Sequence, residues 1–210
     1  MTVSGPKALH AWSGEFGDRY TERNVLDADA IRGRVRTWSR IVGAMHGDLP
    51  KSALEVGTNR GLNLAALPKV LDLELWGVEP NASARAKVVA DGLLPAERML
   101  EGFGHELPLA DGAVELAFTS GVLIHVDPSL LARTVKEIHR VSSKYVLAIE
   151  YFAPRHEMIP YRGENDLMFR NDFGSVYLDA FPDLQVVDYG FFWRRDTVMD
   201  DSTWWLFRKT

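Results

Sequence analysis

The stretch ALEVGTNRGL, residues 53–62, reads as a buried strand that runs into a glycine-rich turn and then into a helix. In a doubly wound sheet, a nucleotide-like ligand binds at this first strand-to-helix turn. Gly57 and Gly61 allow positive φ and let backbone N–H groups approach the ligand, and Asn59 also tolerates the left-handed conformation. The stretch therefore predicts an α/β fold with a nucleoside site at the carboxyl ends of the strands of a parallel sheet.

Around this stretch, short β-branched or apolar runs alternate with segments of helical period, which is typical of βαβ units. We expect a doubly wound, seven-stranded, mostly parallel sheet of the Rossmann-like kind. The last two strands lie too close in sequence for a crossover helix, so they should form an antiparallel hairpin at one edge. The predicted strands are residues 53–56, 74–79, 98–101, 114–119, 145–151, 185–192 and 203–207.

Composition excludes several classes of protein. The net charge of −5 is spread along the chain without a basic stripe, which argues against nucleic acid as a partner. The chain has no cysteine, so disulfides, thiolate zinc sites and cysteine nucleophiles are absent, and the six histidines lack metal-ligand spacing. No window approaches the roughly 20 apolar residues of a membrane span, and the N-terminus does not resemble a signal peptide. We expect one cytoplasmic domain, residues 1–210, with no metal and no membrane contact.

Two regions fall outside the predicted sheet. Residues 1–50 precede the first strand, and residues 152–184 form a long polar and aromatic insertion before the hairpin. Connections of this size are usually lids or binding loops. We expect a lid segment at about 1–50 and a substrate pocket at about 152–184.

Glu79 ends the second strand, 22 positions after Gly57, where an acidic residue can accept both ribose hydroxyls. A dinucleotide fingerprint needs glycine at positions 57, 59 and 62, but the last two hold Asn59 and Leu62. A single nucleoside without phosphates fits this turn better than a dinucleotide does. The alternative is that the turn is only a tight connection and Glu79 a solvated strand end.

Later segments reach the same crevice. Phe103 and Gly104 follow the third strand and could flank an adenine ring, although Phe103 could instead be core. Ser120, Gly121 and Val122 lie at the carboxyl end of the fourth strand, next to the crevice.

Three features of the sequence resemble the motifs of class I S-adenosylmethionine (SAM)-dependent methyltransferases. They are the acidic, glycine-rich first loop, the acidic end of the second strand, and the string LPLADG at 107–112, just before the fourth strand. Within that superfamily, longer strings are similar to the pseudaminic acid biosynthesis-associated methylase group. These strings are WSGEFGDRYTERN at 12–24, GVLIHV at 121–126, EYFAP at 150–154, YRG at 161–163, RNDF at 170–173 and DSTWWLF at 201–207. The resemblance implies SAM as cofactor and a reversed last strand, while Asn59 departs from the family's Gly-x-Gly-x-Gly loop.

In the N-terminal segment, Trp12, Phe16 and Tyr20 lie four apart and should share one helical face. That face could close over the cofactor and attract its sulfonium, or it could be an ordinary packing stripe. The resemblance further suggests that Arg23 or Asn24 binds the methionine carboxylate. The predicted cofactor-binding residues are Trp12, Tyr20, Arg23, Glu55, Gly57, Asn59, Gly61, Glu79, Pro80, Phe103, Gly104, Ser120, Gly121 and Val122.

Methyl transfer is an in-line displacement at an activated carbon, so positioning and exclusion of water supply most of its rate. An acceptor hydroxyl or ammonium must still lose a proton. The catalytic candidates are His125, Tyr151 and Tyr161, although His125 could be structural and strand alternation allows only one of Glu150 and Tyr151 to face the site. The candidates for substrate binding are Arg162, Asp172 and Trp193.

The leading prediction is a methyltransferase for a small molecule, with an O, N or carboxylate acceptor such as an acidic sugar or amino acid. A second reading makes SAM the substrate, its amine displacing methylthioadenosine to form azetidine-2-carboxylate. A third is a SAM-binding module without catalysis, and a nicotinamide oxidoreductase is disfavoured by the missing glycines. We expect a monomer or homodimer.

Overall fold

The computed structural model describes residues 11–161, 167–197 and 199–210 of the chain. A seven-stranded sheet forms the centre, with the strand order β3-β2-β1-β4-β5-β9-β8. A separate two-stranded sheet joins β6 to β7. The strands are β1 Ser52–Val56, β2 Glu74–Val78, β3 Met99–Leu100, β4 Val114–Ser120, β5 Ser142–Glu150, β6 Glu157–Met158, β7 Phe169–Arg170, β8 Leu184–Phe192 and β9 Ser202–Lys209.

The helices begin where the sequence offers a cap. Asp27, Asn81 and Asp127 each accept a hydrogen bond from a backbone N–H in the first turn of the helix that follows, and Pro128 adds a favourable first position after Asp127. The helices are α1 Glu15–Arg23, α2 Ala28–Ala44, α3 Leu62–Ala66, α4 Ala82–Ala90, α5 Pro128–Val141, α6 Phe173–Ala180 and the single turn α7 Arg194–Thr197.

The predicted fold is confirmed in its main features. Strands β1 to β5 are parallel, while β9 pairs antiparallel with both β5 and β8. The strand order reverses between β1 and β4, which places a binding crevice at their carboxyl ends. Hydrophobic residues cover both faces of the sheet, as Trp38 and Phe118 do on one face and Val56 and Phe173 on the other.

The strand boundaries differ from the sequence prediction by one to three residues, most in the third and fifth strands. The third strand shortens to two residues because Arg98 belongs to the 3-10 turn Ala96–Arg98. The fifth strand starts earlier than predicted, at Ser142, and ends at Glu150 rather than Tyr151. Residues 152–184, which were expected to form an insertion outside the sheet, contain β6, β7 and α6, and α6 lies between β5 and β8 in the chain.

Among the described residues, no helix is long and apolar enough to cross a membrane.

Candidate active site

A cavity opens at the carboxyl ends of β1, β2 and β4, beneath α1 and the residues that precede it. At one end, Glu79 is buried and receives two backbone hydrogen bonds, from Asn59 N to Oε2 at 2.8 Å and from Asn81 N to Oε1 at 2.9 Å. Burial raises the pKa of the Glu79 carboxyl, and these N–H groups oppose that rise. The two contacts hold the carboxylate in place and leave one lone pair on each oxygen for ligand hydroxyls.

The turn after β1 adopts the left-handed conformations that its sequence suggested. Gly57, Asn59 and Gly61 have φ values of 76°, 46° and 70°. A Cβ added to Gly57 would lie 2.5 Å from Cγ2 of Val122, so the close approach of the turns that follow β1 and β4 requires glycine there.

Asn59 also connects this turn to the N-terminal segment. Its Oδ1 accepts hydrogen bonds from Arg60 N at 2.8 Å and Asn24 Nδ2 at 3.1 Å, and its Nδ2 donates to Thr21 Oγ1 at 3.1 Å. Glycine at position 59 would lack all three contacts. The departure from an all-glycine loop therefore ties the turn to α1.

Trp12 contacts both aromatic residues of α1, with ring centroids 5.1 Å from Phe16 and 5.2 Å from Tyr20. The three rings cluster as expected, but they do not share one helical face, because the helix is interrupted at Gly14 and Trp12 precedes α1. Trp12 also lies 4.5 Å from the ring of His125, so the N-terminal segment reaches across to the loop after β4.

His125 is a neutral imidazole at this aromatic end of the cavity. Burial lowers its pKa to about 4, against the opposing effect of the Leu167 carbonyl. Its Nδ1 lies 2.7 Å from the Leu167 oxygen, and a carbonyl only accepts, so Nδ1 carries the proton. The lone pair is therefore on Nε2, and the ring of Tyr161 lies 5.2 Å from that of His125.

Glu150 and Tyr151 have separate surroundings. Glu150 is completely buried, and its carboxylate accepts from Val122 N at 3.2 Å and Ile124 N at 3.4 Å. Burial raises the pKa of Glu150 to about 7, and these backbone donors oppose the rise. Tyr151 instead donates its hydroxyl to Asp200 Oδ2 at 2.6 Å.

Two charged side chains in the cavity each have one buried atom without a hydrogen-bond partner. Arg34 of α2 has no hydrogen-bond partner for its Nε, and Glu55 at the end of β1 has none for its Oε2. The other oxygen of Glu55 accepts from Asn63 Nδ2 at 2.6 Å.

The structure brings most of the predicted site residues together. The cavity is lined by Trp12, Tyr20, Glu55, Gly57, Asn59, Glu79, Pro80, Phe103, Gly104, Ser120, Gly121, Val122 and His125. Their individual roles stay predictions.

Other predicted residues do not line this cavity among the described residues. Gly61 caps α3, Arg23 is exposed, and Asp172 caps α6 by accepting from Ser175 N. Trp193 is about half exposed, with the Arg195 guanidinium 5.7 Å from its ring. Tyr151 and Tyr161 are also absent from the lining, and Arg162 lies outside the described residues.

Sequence reasoning missed several lining residues, of which Arg34 is the most informative. Arg34 shares a helix face with Thr37, Trp38 and Ile41, all of them buried. An arginine at helical spacing with buried residues was the signal that could have identified it. Asn63, Asn81, Asp127 and Leu130 were missed as well. No group of three potential metal ligands occurs in the described part of the chain.

Comparisons with known proteins support a methyltransferase fold. Residues 54–146, somewhat under half the chain, match the family described as a methyltransferase domain. One similar solved structure is 1,6-didemethyltoxoflavin-N1-methyltransferase from Burkholderia thailandensis, which was solved with S-adenosylhomocysteine. The two chains are 15% identical and have a TM-score of 0.67, and the match covers 95% of this chain and 84% of that one.

A second is magnesium protoporphyrin IX methyltransferase from Synechocystis, which was also solved with S-adenosylhomocysteine. It is 11% identical with a TM-score of 0.64, and the match covers 95% of this chain and 97% of that one. The [4+2]-cyclase SpnF is also similar, at 14% identity and a TM-score of 0.58. The match covers 83% of this chain and 80% of SpnF. No curated protein matches the sequence significantly. The chain has the class I methyltransferase fold, and the matched domain makes it a SAM-dependent transferase.

Proposed function

We propose that this protein transfers the methyl group of SAM to an oxygen, nitrogen or carboxylate of a small molecule. The observation that carries the proposal is a single cavity with a nucleoside end at Glu79 and an aromatic end at Trp12 and His125. Glu79 accepts the ribose hydroxyls in this arrangement, and Phe103 lies beside the adenine. Acidic sugars and amino acids remain the first acceptors to test.

The aromatic end supplies what methyl transfer needs. The negative faces of the Trp12 and Tyr20 rings stabilise the sulfonium cation, and enclosure by these rings excludes water from the methyl carbon. The lone pair on Nε2 of His125 accepts the proton that a hydroxyl or ammonium acceptor loses, and a carboxylate acceptor has none to lose. No other step is required, because the sulfonium is already an activated leaving group.

A ring-forming reaction of SAM is the second candidate, favoured by the neutral state of His125. In that reaction, the α-amine attacks its own γ-carbon, the bond from that carbon to sulfur breaks, and methylthioadenosine leaves. His125 accepts the proton released from the amine. The likeness to a [4+2]-cyclase shows only that this fold also occurs in a protein with that activity.

Mass spectrometry of the protein incubated with SAM tests both candidates. Intact SAM without acceptor, followed by S-adenosylhomocysteine when an acceptor is supplied, supports methyl transfer. Methylthioadenosine without any acceptor supports ring formation instead. Binding of neither SAM nor S-adenosylhomocysteine to the wild-type protein contradicts both.

The nucleoside end has its own test. In Glu79→Gln, an amide NH₂ replaces one carboxylate oxygen opposite a backbone N–H, so we expect S-adenosylhomocysteine affinity to fall at least tenfold in calorimetry. The matched control is Glu97→Gln, since Glu97 is exposed and outside the cavity. Equal affinities for the two variants would remove Glu79 from the proposed site.

A further inference from the structure

The seven-stranded sheet ends in two different edge strands. On one side, β3 is two residues long, and so short a strand presents little backbone for further pairing. On the other side, β8 runs over nine residues, and in the described part of the chain it pairs only with β9. The outer edge of β8 therefore carries a row of backbone N–H and C=O groups with which another strand could pair.

The features that normally protect an edge strand are confined to the first half of β8. A register shift against β9 between Val186 and Asp188 distorts the strand there, and Asp188 adds a charge. From Tyr189 onward, the sequence YGFFW contains no charged residue and no proline. Residues 189–193 are therefore the part of the edge that is open to pairing.

Three aromatic side chains of this second half are exposed on one face. Tyr189, Phe191 and Trp193 are 67%, 57% and 52% exposed, and their alternate positions place them on the same side of the extended chain. Tyr189 pairs in register with Trp205 of β9, whose ring packs against Gly174 of α6. Helix α6 thus covers β9 and leaves the row on β8 open. Large apolar groups that are exposed side by side are typical of a contact surface.

The aromatic row is complementary to a second copy of itself. If two copies pair antiparallel with Phe191 opposite the partner's Phe191, residue 189 lies opposite residue 193 and residue 188 opposite residue 194. Tyr189 then contacts the partner's Trp193 on both sides of the centre. Aromatic pairs that lie opposite each other on neighbouring strands are favourable, so this register gives three of them.

The same register also matches the charges that flank the row. Asp188 and Arg194 are both exposed and carry opposite charges. In the described part of the chain, the Asp188 carboxylate contacts only the N–H of Tyr189, and Arg194 contacts Asp201 through its backbone N–H. Both side chains are therefore available, and antiparallel pairing brings each of them opposite the other in the second copy.

We propose that the protein forms a homodimer in which two β8 strands pair antiparallel about a two-fold axis at Phe191. The interface uses the same surface of both copies, so it closes at the dimer and joins the two seven-stranded sheets into one. Because the axis stands perpendicular to the sheet, the carboxyl ends of the parallel strands point in opposite directions in the two copies. Each copy keeps its own cavity, and the proposal does not depend on the reaction that the cavity supports.

The size of the surface sets the strength of the dimer. An aromatic side chain buries about 150–250 Å², so three that are half exposed offer roughly 300 Å² in each copy. A stable interface buries about 800 Å² on each partner. Even with the paired backbones added, this interface is small, so we expect a dissociation constant in the micromolar range.

Sedimentation velocity at protein concentrations from about 1 to 300 μM measures the dimer, and the wild type should pass from monomer to dimer within this range. We expect Phe191→Lys to raise the dissociation constant about 30-fold or more, because it places two like charges opposite each other at the axis and removes the central aromatic pair. Met158→Lys is the matched control, since Met158 is 58% exposed on the separate strand β6. That change should leave the dissociation constant within about threefold of the wild-type value.

Charge reversal tests the register. Asp188→Lys and Arg194→Glu each replace two pairs of opposite charges by two pairs of like charges, and each should raise the dissociation constant about tenfold at low salt. The double variant restores opposite charges across the interface, so its dissociation constant should return to within about threefold of the wild-type value. Residues 188 and 194 of one copy lie roughly 20 Å apart along an extended chain, so this recovery has to arise between copies.

The inference is overturned if the wild type stays monomeric over the whole range, or if it associates beyond a dimer, because a two-fold contact closes. It is also overturned if Phe191→Lys dimerises as well as Met158→Lys does, which would place the contact on another surface. Failure of the double charge reversal to recover dimerisation overturns it as well. Thermal unfolding followed by circular dichroism checks that each variant is folded, and the charge-reversal series decides alone if Phe191→Lys does not fold.

Discussion

His125 combines a fixed ring with an uncharged nitrogen. Its Nδ1–H is occupied by the Leu167 carbonyl, so only Nε2 is available to a reacting proton. In His125→Asn, the side-chain amide can supply an N–H at the position of Nδ1 but no atom at the position of Nε2. In His125→Gln, the longer side chain reaches the position of Nε2. The two substitutions therefore separate the two functions of the ring.

We expect His125→Asn to slow SAM consumption about 100-fold or more, because the proton acceptor is lost while the Leu167 contact is kept. S-adenosylhomocysteine affinity should stay within threefold of wild type. His125→Gln is the comparison: an amide cannot take up a proton, so this variant should be as slow as His125→Asn, and partial recovery of rate would show that Nε2 only accepts a hydrogen bond. An unchanged rate in His125→Asn would make the histidine structural.

Glu150 supports the loop that carries Val122 and His125, as its two hydrogen bonds show. In Glu150→Gln only one oxygen remains for two backbone N–H groups, so we expect a loss of about 1–2 kcal/mol in the free energy of unfolding. S-adenosylhomocysteine affinity should fall in parallel. Denaturant unfolding beside calorimetry measures both, with Glu157→Gln on the exposed strand β6 as the control. Equal stability of the two variants would contradict this role.

Among elements, α1 depends on a close approach to the residues before it. A Cβ on Gly17 would lie 2.0 Å from the Trp12 carbonyl oxygen and 2.9 Å from Asn81 Nδ2. Asn81 caps α4 and its Nδ2 also donates to Asp18 Oδ1 at 2.9 Å. Gly17 thus allows the N-terminal segment to pack against the second strand-to-helix connection.

We expect Gly17→Ala to displace Trp12 from His125 and weaken S-adenosylhomocysteine binding at least tenfold, because backbone atoms cannot yield to the new methyl group. Gly43→Ala is the matched control, since Gly43 lies in α2 with open space around it. That change should stabilise the protein by about 0.5–1 kcal/mol through helix propensity. Stopped-flow tryptophan fluorescence and calorimetry measure the outcome, and equal affinities for the two variants would refute the expectation.

Several of the elements that were predicted correctly share a physical property. Strands β1, β2, β4 and β5 are buried, and α5 is amphipathic, so their sequences carry a clear hydrophobic period. Strands β6 and β7 are two residues long and carry no period. Helix α6 is short, and its cap, Asp172, was taken for a substrate ligand because a capping carboxylate and a binding carboxylate look alike in sequence.

For the whole molecule, three titratable groups with large pKa shifts contribute to the pH dependence of stability. The folded state keeps protons on Glu55 and Glu150, whose pKa values are about 8 and 7, up to a higher pH than the unfolded chain does. His125, with its pKa of about 4, acts oppositely and contributes stability that is lost as pH falls below about 6.5. Above about pH 6.5, His125 is neutral in both the folded and the unfolded state, so the two carboxyl groups determine how stability changes with pH.

We therefore expect the unliganded protein to lose stability as pH rises from about 6.5 to 8, by at most about 1.4 kcal/mol per pH unit for each carboxyl. The unfolded state binds fewer protons in this window, which fixes the sign. Thermal unfolding across the window measures the slope. In Glu55→Gln, the fall of Tm with pH should be smaller in the upper part of this pH window. A wild-type Tm that rises across the window would contradict the raised pKa values of the two carboxyl groups.

The nucleoside end of the site was more predictable than the rest of it. Gly57, Asn59 and Glu79 belong to one local pattern, a strand, a turn and the end of the next strand, and local patterns are visible in sequence. Arg34 and Glu55 approach each other only through tertiary packing of α2 on the sheet. The helical spacing of Arg34 with buried residues indicates only that Arg34 faces inward, and no local pattern could have shown that it shares a cavity with the end of β1.

The contact between Trp12 and His125 also bears on the speed of turnover. Residues that cover the cavity are anchored at both Asn59 and Asn81, so we expect ligand exchange to require release of those anchors. The opening rate of the N-terminal segment then sets a ceiling on product dissociation, whatever the acceptor. Substrates of very different reactivity would share one maximal rate, and a burst of product in the first cycle would reveal it.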